Sequence, residues 1–246
     1  KVYQYNDDSL MLHNDLYQIN MAESYWNDGI HERIAVFDLY FRKMPFNSGY
    51  AVFNGLKRVV NFIENFGFTN EDITYLKSIG YEEDFLNYLK DLKFTGNIKS
   101  MQEGEICFGN EPLLRVEAPL IQAQLIETIL LNIINFQTLI ATKASRIRQI
   151  ATHDTLMEFG TRRAQEIDAA LWGARAAFIG GFDSTSNVRA GKLFNIPVSG
   201  THAHALVQTY GDEYIAFKKY AERHKNCVFL VDTFHTLKSG VPTAIK

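Results

Sequence analysis

Four short clusters carry the side chains best suited to chemistry. They are Glu158-Phe159-Gly160-Thr161-Arg162-Arg163, Gly180-Gly181-Phe182-Asp183-Ser184-Thr185-Ser186-Asn187, Ser199-Gly200-Thr201-His202-Ala203-His204 and Val231-Asp232-Thr233. Arg162 and Arg163, following Gly160-Thr161, supply the bidentate donors that phosphate or carboxylate recognition needs. A surface salt bridge to Glu166 is the plainer alternative, more so for Arg163 than for Arg162. Gly181 with Ser184, Thr185 and Ser186 reads as a hydroxyl-rich turn entering a helix, whose free N–H groups favour an anion. The two histidines allow two chemistries. Two apart on a strand, His202 and His204 share a face and can bind a metal together with carboxylates. Alternatively one imidazole accepts a phosphoryl group, steadied by the Gly200 and Thr201 N–H groups and the Thr201 hydroxyl. The third alternative is two packed or surface histidines. Phosphoryl chemistry is favoured, because only His235 otherwise follows a strand and hydrolytic metal sites draw ligands from several strand ends. Asp232 can orient a magnesium-bound water or a ribose hydroxyl, or simply cap the next helix.

The elements that position these clusters are legible as apolar runs. Residues 155–159, 176–179, 196–198 and 228–231 are short, bounded by Gly or polar residues, and separated by stretches of helical composition. That pattern predicts buried parallel strands alternating with helices. In a βα barrel, the loops leaving the carboxyl ends of the strands converge on one face, where the reactive groups sit. Arg162, Asp183, Ser184, His204 and Asp232 are therefore expected on one rim. A closed barrel needs about eight strands and roughly 250 residues, whereas about four units fit after residue 152. The expectation is an α/β chain with only the first half of an irregular βα barrel. Half a barrel leaves an open strand edge, so the sequence reads as part of a longer or cleaved polypeptide.

Ahead of this region the pattern is α+β. Asn14 and Asp15 can cap a helix with Leu16, Ile19, Ala22 and Trp26 on one face, ending near Gly29, and Tyr17 points away from that face. Residues 33–42 nearly alternate, predicting a half-buried strand with a register change in its middle. Helices are expected over 52–63, 71–78 and 82–92. Short antiparallel strands are expected at 98–101, 106–108 and 113–116. Pro119 opens a long helix with apolar residues at 125, 126, 129, 130, 133 and 134. Polar interruptions rule out a membrane span in that helix. Lys143, Arg146 and Arg148 suit its carboxyl-terminal dipole. The expected division is 1–137 for an N-terminal α+β domain and 138–246 for the half barrel, joined rigidly through continuous helix.

With 246 residues, 46% hydrophobic and 22% charged, the composition is that of a globular protein. A net charge of −3 gives no global attraction to nucleic acid or acidic membranes. Cys107 and Cys227 form no C-x-x-C pair and are expected as buried free thiols. The polar amino terminus lacks the apolar core of a secretory signal, and a cytoplasmic protein is expected.

Taken together the clusters closely resemble the nicotinate phosphoribosyltransferase family. The residues carrying the resemblance are Asn14-Asp15-Leu16-Tyr17-Gln18, Glu103-Gly104-Glu105, Phe159 through Ala164, Gly180 through Ser184, Gly200-Thr201-x-Ala203-His204 and Leu230 through Thr233. The resemblance implies a homodimer with shared active sites, an irregular βα barrel and an N-terminal α+β domain. It implies a reaction joining nicotinate and phosphoribosyl pyrophosphate to give nicotinate mononucleotide and pyrophosphate, with Mg²⁺ on the pyrophosphate. Hydrolysis of ATP is coupled to that reaction, in NAD salvage. Carried over by motif, His204 is the phosphorylated histidine and Arg162 holds phosphate or carboxylate. Phe159 and the partner subunit's Tyr17 sandwich the pyridine ring. His204 and Asp232 are expected as catalytic, and Tyr17, Phe159, Arg162, Asp183, Ser184, Ser186 and Thr201 as substrate-binding. Further phosphate motifs of the family lie beyond Lys246, so the 246-residue chain alone is expected to be inactive. Use of nicotinamide or quinolinate, and a metal-dependent βα-barrel hydrolase, are the rival readings; hydroxyls around Ser186 lean toward the acid.

Overall fold

A computed structural model describes residues 9–246. In chain order these form α1 (Leu16–Asn27), β1 (Ile34–Leu39), β2 (Ala51–Val52), α2 (Leu56–Glu64), α3 (Asn70–Ser78), α4 (Glu83–Asp91), β3 (Asn97–Ser100), β4 (Ile106–Cys107), β5 (Leu114–Pro119) and α5 (Leu120–Ile150). There follow β6 (Met157–Glu158), α6 (Glu166–Ile179), β7 (Ser184–Thr185), α7 (Val188–Phe194), α8 (His204–Tyr210), α9 (Glu213–Ala221) and α10 (Val241–Ile245). The chain is α/β.

Helix α5 is the spine. Its 31 residues span about 46 Å and run unbroken across residue 137. The expected apolar stripe is buried: Leu125, Ile126, Ile129, Leu130, Ile133 and Ile134 are each at most 5% exposed. Further along, the buried positions become small or hydroxylic. Thr138 and Thr142 use their hydroxyls to accept the Asn54 and Val52 N–H groups at 3.1 and 2.9 Å, satisfying backbone at the end of β2 that has no ladder partner there. Ala141 and Ala144 then admit Gly180, where an added Cβ would strike the Ala141 carbonyl and the Ala144 methyl. Small residues on both sides bring the end of α6 onto α5.

The amino-terminal part packs on the first half of α5. Antiparallel strands in the order β1-β5-β3 form one sheet, and β2 pairs with β4. β1 is paired without interruption, from Ile34 opposite Pro119 to Leu39 opposite Leu114, so the expected register change is absent. The broken alternation has another cause: β1 is an edge strand, and Val36 and Phe37 are both partly open to solvent. In α1, Ile19 and Ala22 are buried as expected, but Leu16 is exposed and Gln18 takes its place against α5. The Gln18 amide is satisfied there by Glu127 and Gln124. Asp15 is the helix cap by position, although its side chain makes no capping bond.

The second part is less regular. β6 and β7 are parallel, Thr185 bridges Val198 in parallel, and Thr201 bridges Val228 in parallel. Parallel pairing was expected; the extent of the strands was not. The apolar run 176–179 is the last turn of α6 rather than a strand. Its alanines continue the helical series Ala170, Ala174, Ala177, and alanine is the strongest helix former. Consequently Asp183 precedes its strand, and Ser184 lies on it rather than in a loop beyond.

Candidate active site

Glu158, at the end of β6, organises the first loop. Its Oε1 accepts the Gly160 N–H and its Oε2 accepts the Thr185 hydroxyl at 2.7 Å. The carboxylate thereby ties the loop after β6 to the adjacent strand. Phe159 projects from this loop, 43% exposed. The short 3-10 turn Thr161–Arg163 follows. Among the described residues neither the Arg162 nor the Arg163 guanidinium has a hydrogen-bond or ion-pair partner, and the salt bridge to Glu166 does not form. Two unspent cationic forks at an exposed loop suit an anionic ligand.

Asp183 is engaged differently from expectation. Its Oδ2 accepts the Leu156 N–H at 2.7 Å and an Arg148 N–H at 2.5 Å. The Leu156 amide and the Arg148 guanidinium hold its carboxyl below the usual carboxylate range. Arg148 also donates to the carbonyls of Gly181, Ala151 and Asp154 at 2.7, 2.8 and 2.8 Å. Far from being only a solvated helix end, it clamps the end of α5 to the strands on either side. Sequence reasoning missed this role; the available signal was the Gly180-Gly181 pair, whose positive φ at Gly181 turns a carbonyl toward the helix. Ser184 is buried, and its hydroxyl has no partner among the described residues. Ser186 is half-buried and donates its backbone N–H to the Glu158 carbonyl at 2.9 Å.

The two histidines do not share a face. His202 is 8% exposed and packs among Phe217, Tyr220 and Phe229. His204, the first residue of α8, is exposed. Its Nδ1 lies 3.2 Å from the Thr233 hydroxyl and its Nε2 3.8 Å from Asp232 Oδ1. The latter is an ion-pair approach rather than a hydrogen bond, and both side chains are about half exposed. The Thr201 hydroxyl donates to the neighbouring His202 carbonyl at 2.8 Å. Gly240 backs this rim from outside: a Cβ there would run into the Val231 carbonyl, so only glycine lets the turn Thr236–Gly240 pack behind Asp232.

Tyr17 stands apart from this rim. It is 50% exposed and lines a cleft of about 580 Å³ with Tyr40, Arg42, Glu127 and Asn135. No ring contact or hydrogen bond joins it to Phe159 or Arg162. Among the described residues, no three His, Cys, Asp or Glu side chains come together to hold a metal. Among the described residues no helix is long and apolar enough to cross a membrane. Cys107 and Cys227 are free, the first buried and the second partly so.

Comparison with known proteins decides the family. Residues 12–135 match the family described as nicotinate phosphoribosyltransferase (NAPRTase) N-terminal domain. The chain belongs to the nicotinate phosphoribosyltransferase family. It is 66% identical over 245 residues to the nicotinate phosphoribosyltransferase of Bacillus subtilis, covering 99% of this chain and 50% of that protein. A Mycobacterium tuberculosis nicotinate phosphoribosyltransferase is 40% identical over 236 residues, 96% of this chain and 50% of its own length. The crystal structure of human nicotinic acid phosphoribosyltransferase superposes with a TM-score of 0.84 at 31% identity, over 94% of this chain and 56% of that one. The nicotinate-nucleotide pyrophosphorylase of Pyrococcus furiosus gives 0.78 at 26% identity, over 96% and 54%. The chain thus spans about half the length of the nicotinate phosphoribosyltransferases it matches. The N-terminal match contains Tyr17 but none of the rim residues from Phe159 to Asp232. Those fall within the longer match to the Bacillus protein.

Proposed function

We propose that this chain takes part in joining nicotinate to phosphoribosyl pyrophosphate, forming nicotinate mononucleotide and pyrophosphate with ATP hydrolysis coupled through phosphorylated His204. The observation that carries this reading is the placement of an exposed imidazole at the start of α8, with the Asp232 carboxylate on its Nε2 side. A carboxylate there favours the Nε2–H tautomer and stabilises positive charge on the ring, which leaves the Nδ1 lone pair as nucleophile. Nδ1 would displace the Thr233 hydroxyl and attack the γ-phosphorus of ATP. The N–P bond forms as the bond to the bridging oxygen breaks, and ADP leaves. Hydrolysis of the N–P bond then returns the imidazole and releases phosphate.

At the other end of the rim, Phe159 and Tyr17 of the partner subunit would enclose the pyridine ring. The exposed Tyr17, with no ring partner among the described residues, supports that arrangement. Arg162 would hold phosphate or carboxylate, and the unpartnered Ser184 hydroxyl would face the bound ligand beside Ser186. Thr201 would contribute its backbone N–H, its hydroxyl being already engaged. The ring nitrogen attacks the anomeric carbon as pyrophosphate departs, so positioning and charge stabilisation dominate. Mg²⁺ fits as a cation carried in on the substrate phosphates, which needs only one or two protein carboxylates; exposed Asp232 is the available one. The parallel pairing from β6 through Val228 supports a βα barrel. Two free thiols support a reducing, cytoplasmic setting.

The test is formation of nicotinate mononucleotide by the full-length protein carrying this chain, with and without ATP, in wild type and His204→Ala. ATP should accelerate the wild type by at least tenfold and the variant not at all. Wild-type protein incubated with γ-labelled ATP should carry acid-labile phosphate that the variant lacks. Equal ATP stimulation of both would overturn the phosphohistidine, and absence of product from nicotinate would overturn the reaction.

A further inference from the structure

We infer that His202 is a positioning residue that fastens the Asp232-Thr233 segment in front of His204. The inference rests on the phosphohistidine reading above, but its structural half stands independently. His202 is buried and both its ring nitrogens are engaged. Nε2 lies 3.1 Å from the Leu230 N and therefore accepts that N–H. The ring proton must then sit on Nδ1, which is 3.3 Å from the Ala203 carbonyl. One neutral imidazole thus binds the backbone on each side of the site: Ala203, which caps the helix beginning at His204, and Leu230, two residues before Asp232.

Phe229 and Val231 pack against the cluster of Val207, Ala216 and Phe217, but backbone pairing is sparse. Among the described residues the two backbones share the isolated bridge between Thr201 and Val228, where neighbouring strands would ordinarily share a ladder. Beyond it the His202 side chain takes the place of the missing strand bond. Phe229 stacks on Phe217 at 4.8 Å, and His202 lies within ring-contact distance of both. The aromatic packing fixes the ring plane, and the Leu230 bond, together with Val231 packed against the cluster that contains Val207, sets how far the 230–233 segment stands from α8. Asp232 and Thr233 meet His204 at 3.8 and 3.2 Å, so displacement of this segment removes the carboxylate from Nε2 without touching His204 itself.

The full-length protein as wild type, His202→Phe and His202→Gln discriminates. Phe keeps an aromatic ring and removes the acceptor. Gln places an amide oxygen near Nε2 and restores it. Two readouts are taken: hydrogen exchange at the Leu230 amide, and the rate of phosphate transfer from ATP to the protein with its KM. In His202→Phe the Leu230 amide should lose protection, and phosphorylation should slow about 10- to 100-fold with the KM for ATP little changed. In His202→Gln both should recover most of the way. Retained Leu230 protection in the Phe variant overturns the inference, as does an equal loss of rate in both variants. If the Phe variant does not fold, Leu230 exchange in the folded Gln variant decides: wild-type protection supports the inference and lost protection overturns it. If neither wild type nor variants accept phosphate, the phosphohistidine fails while Leu230 exchange still answers for His202.

Discussion

A guanidinium that spends its donors on three carbonyls and one carboxylate has little left for a ligand, and Arg148 is such a group. Its partner Asp183 is spoken for as well, by Arg148 and the Leu156 amide. Both therefore help to hold the rim. Each single variant, Arg148→Met or Asp183→Asn, is expected to lower the melting temperature and raise the KM for substrates. The double variant should lose scarcely more than Arg148→Met alone, because the two act as one unit; strictly additive losses would contradict this. Asp183 is ionised more readily folded than unfolded, so its contribution is present above the unfolded carboxylate pKa. It is lost as pH falls through the lower folded value. The exposed placement of His204, Arg162 and Asp232 was legible in the sequence, because residue type and the preceding Gly-Thr or apolar run suffice to put them at the surface just after a strand or bridge. Asp183, Arg148 and His202 were not, because their roles depend on backbone groups whose positions no side-chain pattern encodes.

Among the elements, α6 is joined to the amino-terminal part by a partly buried ion pair. Arg175 meets Glu103 through two bonds of 3.0 and 2.6 Å, and Glu103 also accepts the Gly55 and Lys57 N–H groups at 2.9 and 3.3 Å. Burial opposes ionisation of Glu103. The hydrogen bonds and charge of Arg175, with the two amides, outweigh it and hold the carboxyl below its ordinary value. Removing one partner leaves the other charge partly buried and uncompensated, so Glu103→Gln or Arg175→Met should each cost about 1–3 kcal/mol in denaturant unfolding. A loss under about 1 kcal/mol would show that water reaches the pair. Because the folded pKa is depressed, the wild-type advantage over Glu103→Gln holds above the unfolded pKa and shrinks as pH falls toward the folded one. The helices themselves were legible, since α2 to α5 carry apolar residues at 3.6-residue spacing, except that α2 starts at Leu56 and Val52, expected in it, lies on β2. In the second part the sequence located β6 and the bridging residues Val198 and Val228, but neither the extent of the strands nor β7. At two residues apiece, β6 and β7 are too short for any period, and alanines in α6 mimic a strand when only four are read.

At the scale of the whole molecule, the residues proposed to enclose the pyridine lie on separate parts of one chain. Tyr17 sits on α1 beside Glu127 and Asn135, whereas Phe159, on the loop after β6, and His204, at the start of α8, belong to the part that follows α5. α5 carries buried residues along most of its length and fixes both parts, so closing one onto the other within a chain would break that packing. The proposed isologous dimer would solve the problem differently, by presenting each α1 to the other subunit's rim. The arrangement predicts complementation. Tyr17→Ala and His204→Ala full-length proteins should each be nearly inactive in ATP-driven turnover. Denatured together and refolded at equal amounts, they should recover about a quarter of wild-type activity, since half the dimers are mixed and each mixed dimer assembles one intact site. Were Tyr17 and His204 to serve the same site from one chain, every site in the mixture would keep one defect and mixing would restore nothing. The wild-type refolding yield, measured in parallel, separates that outcome from failure to refold.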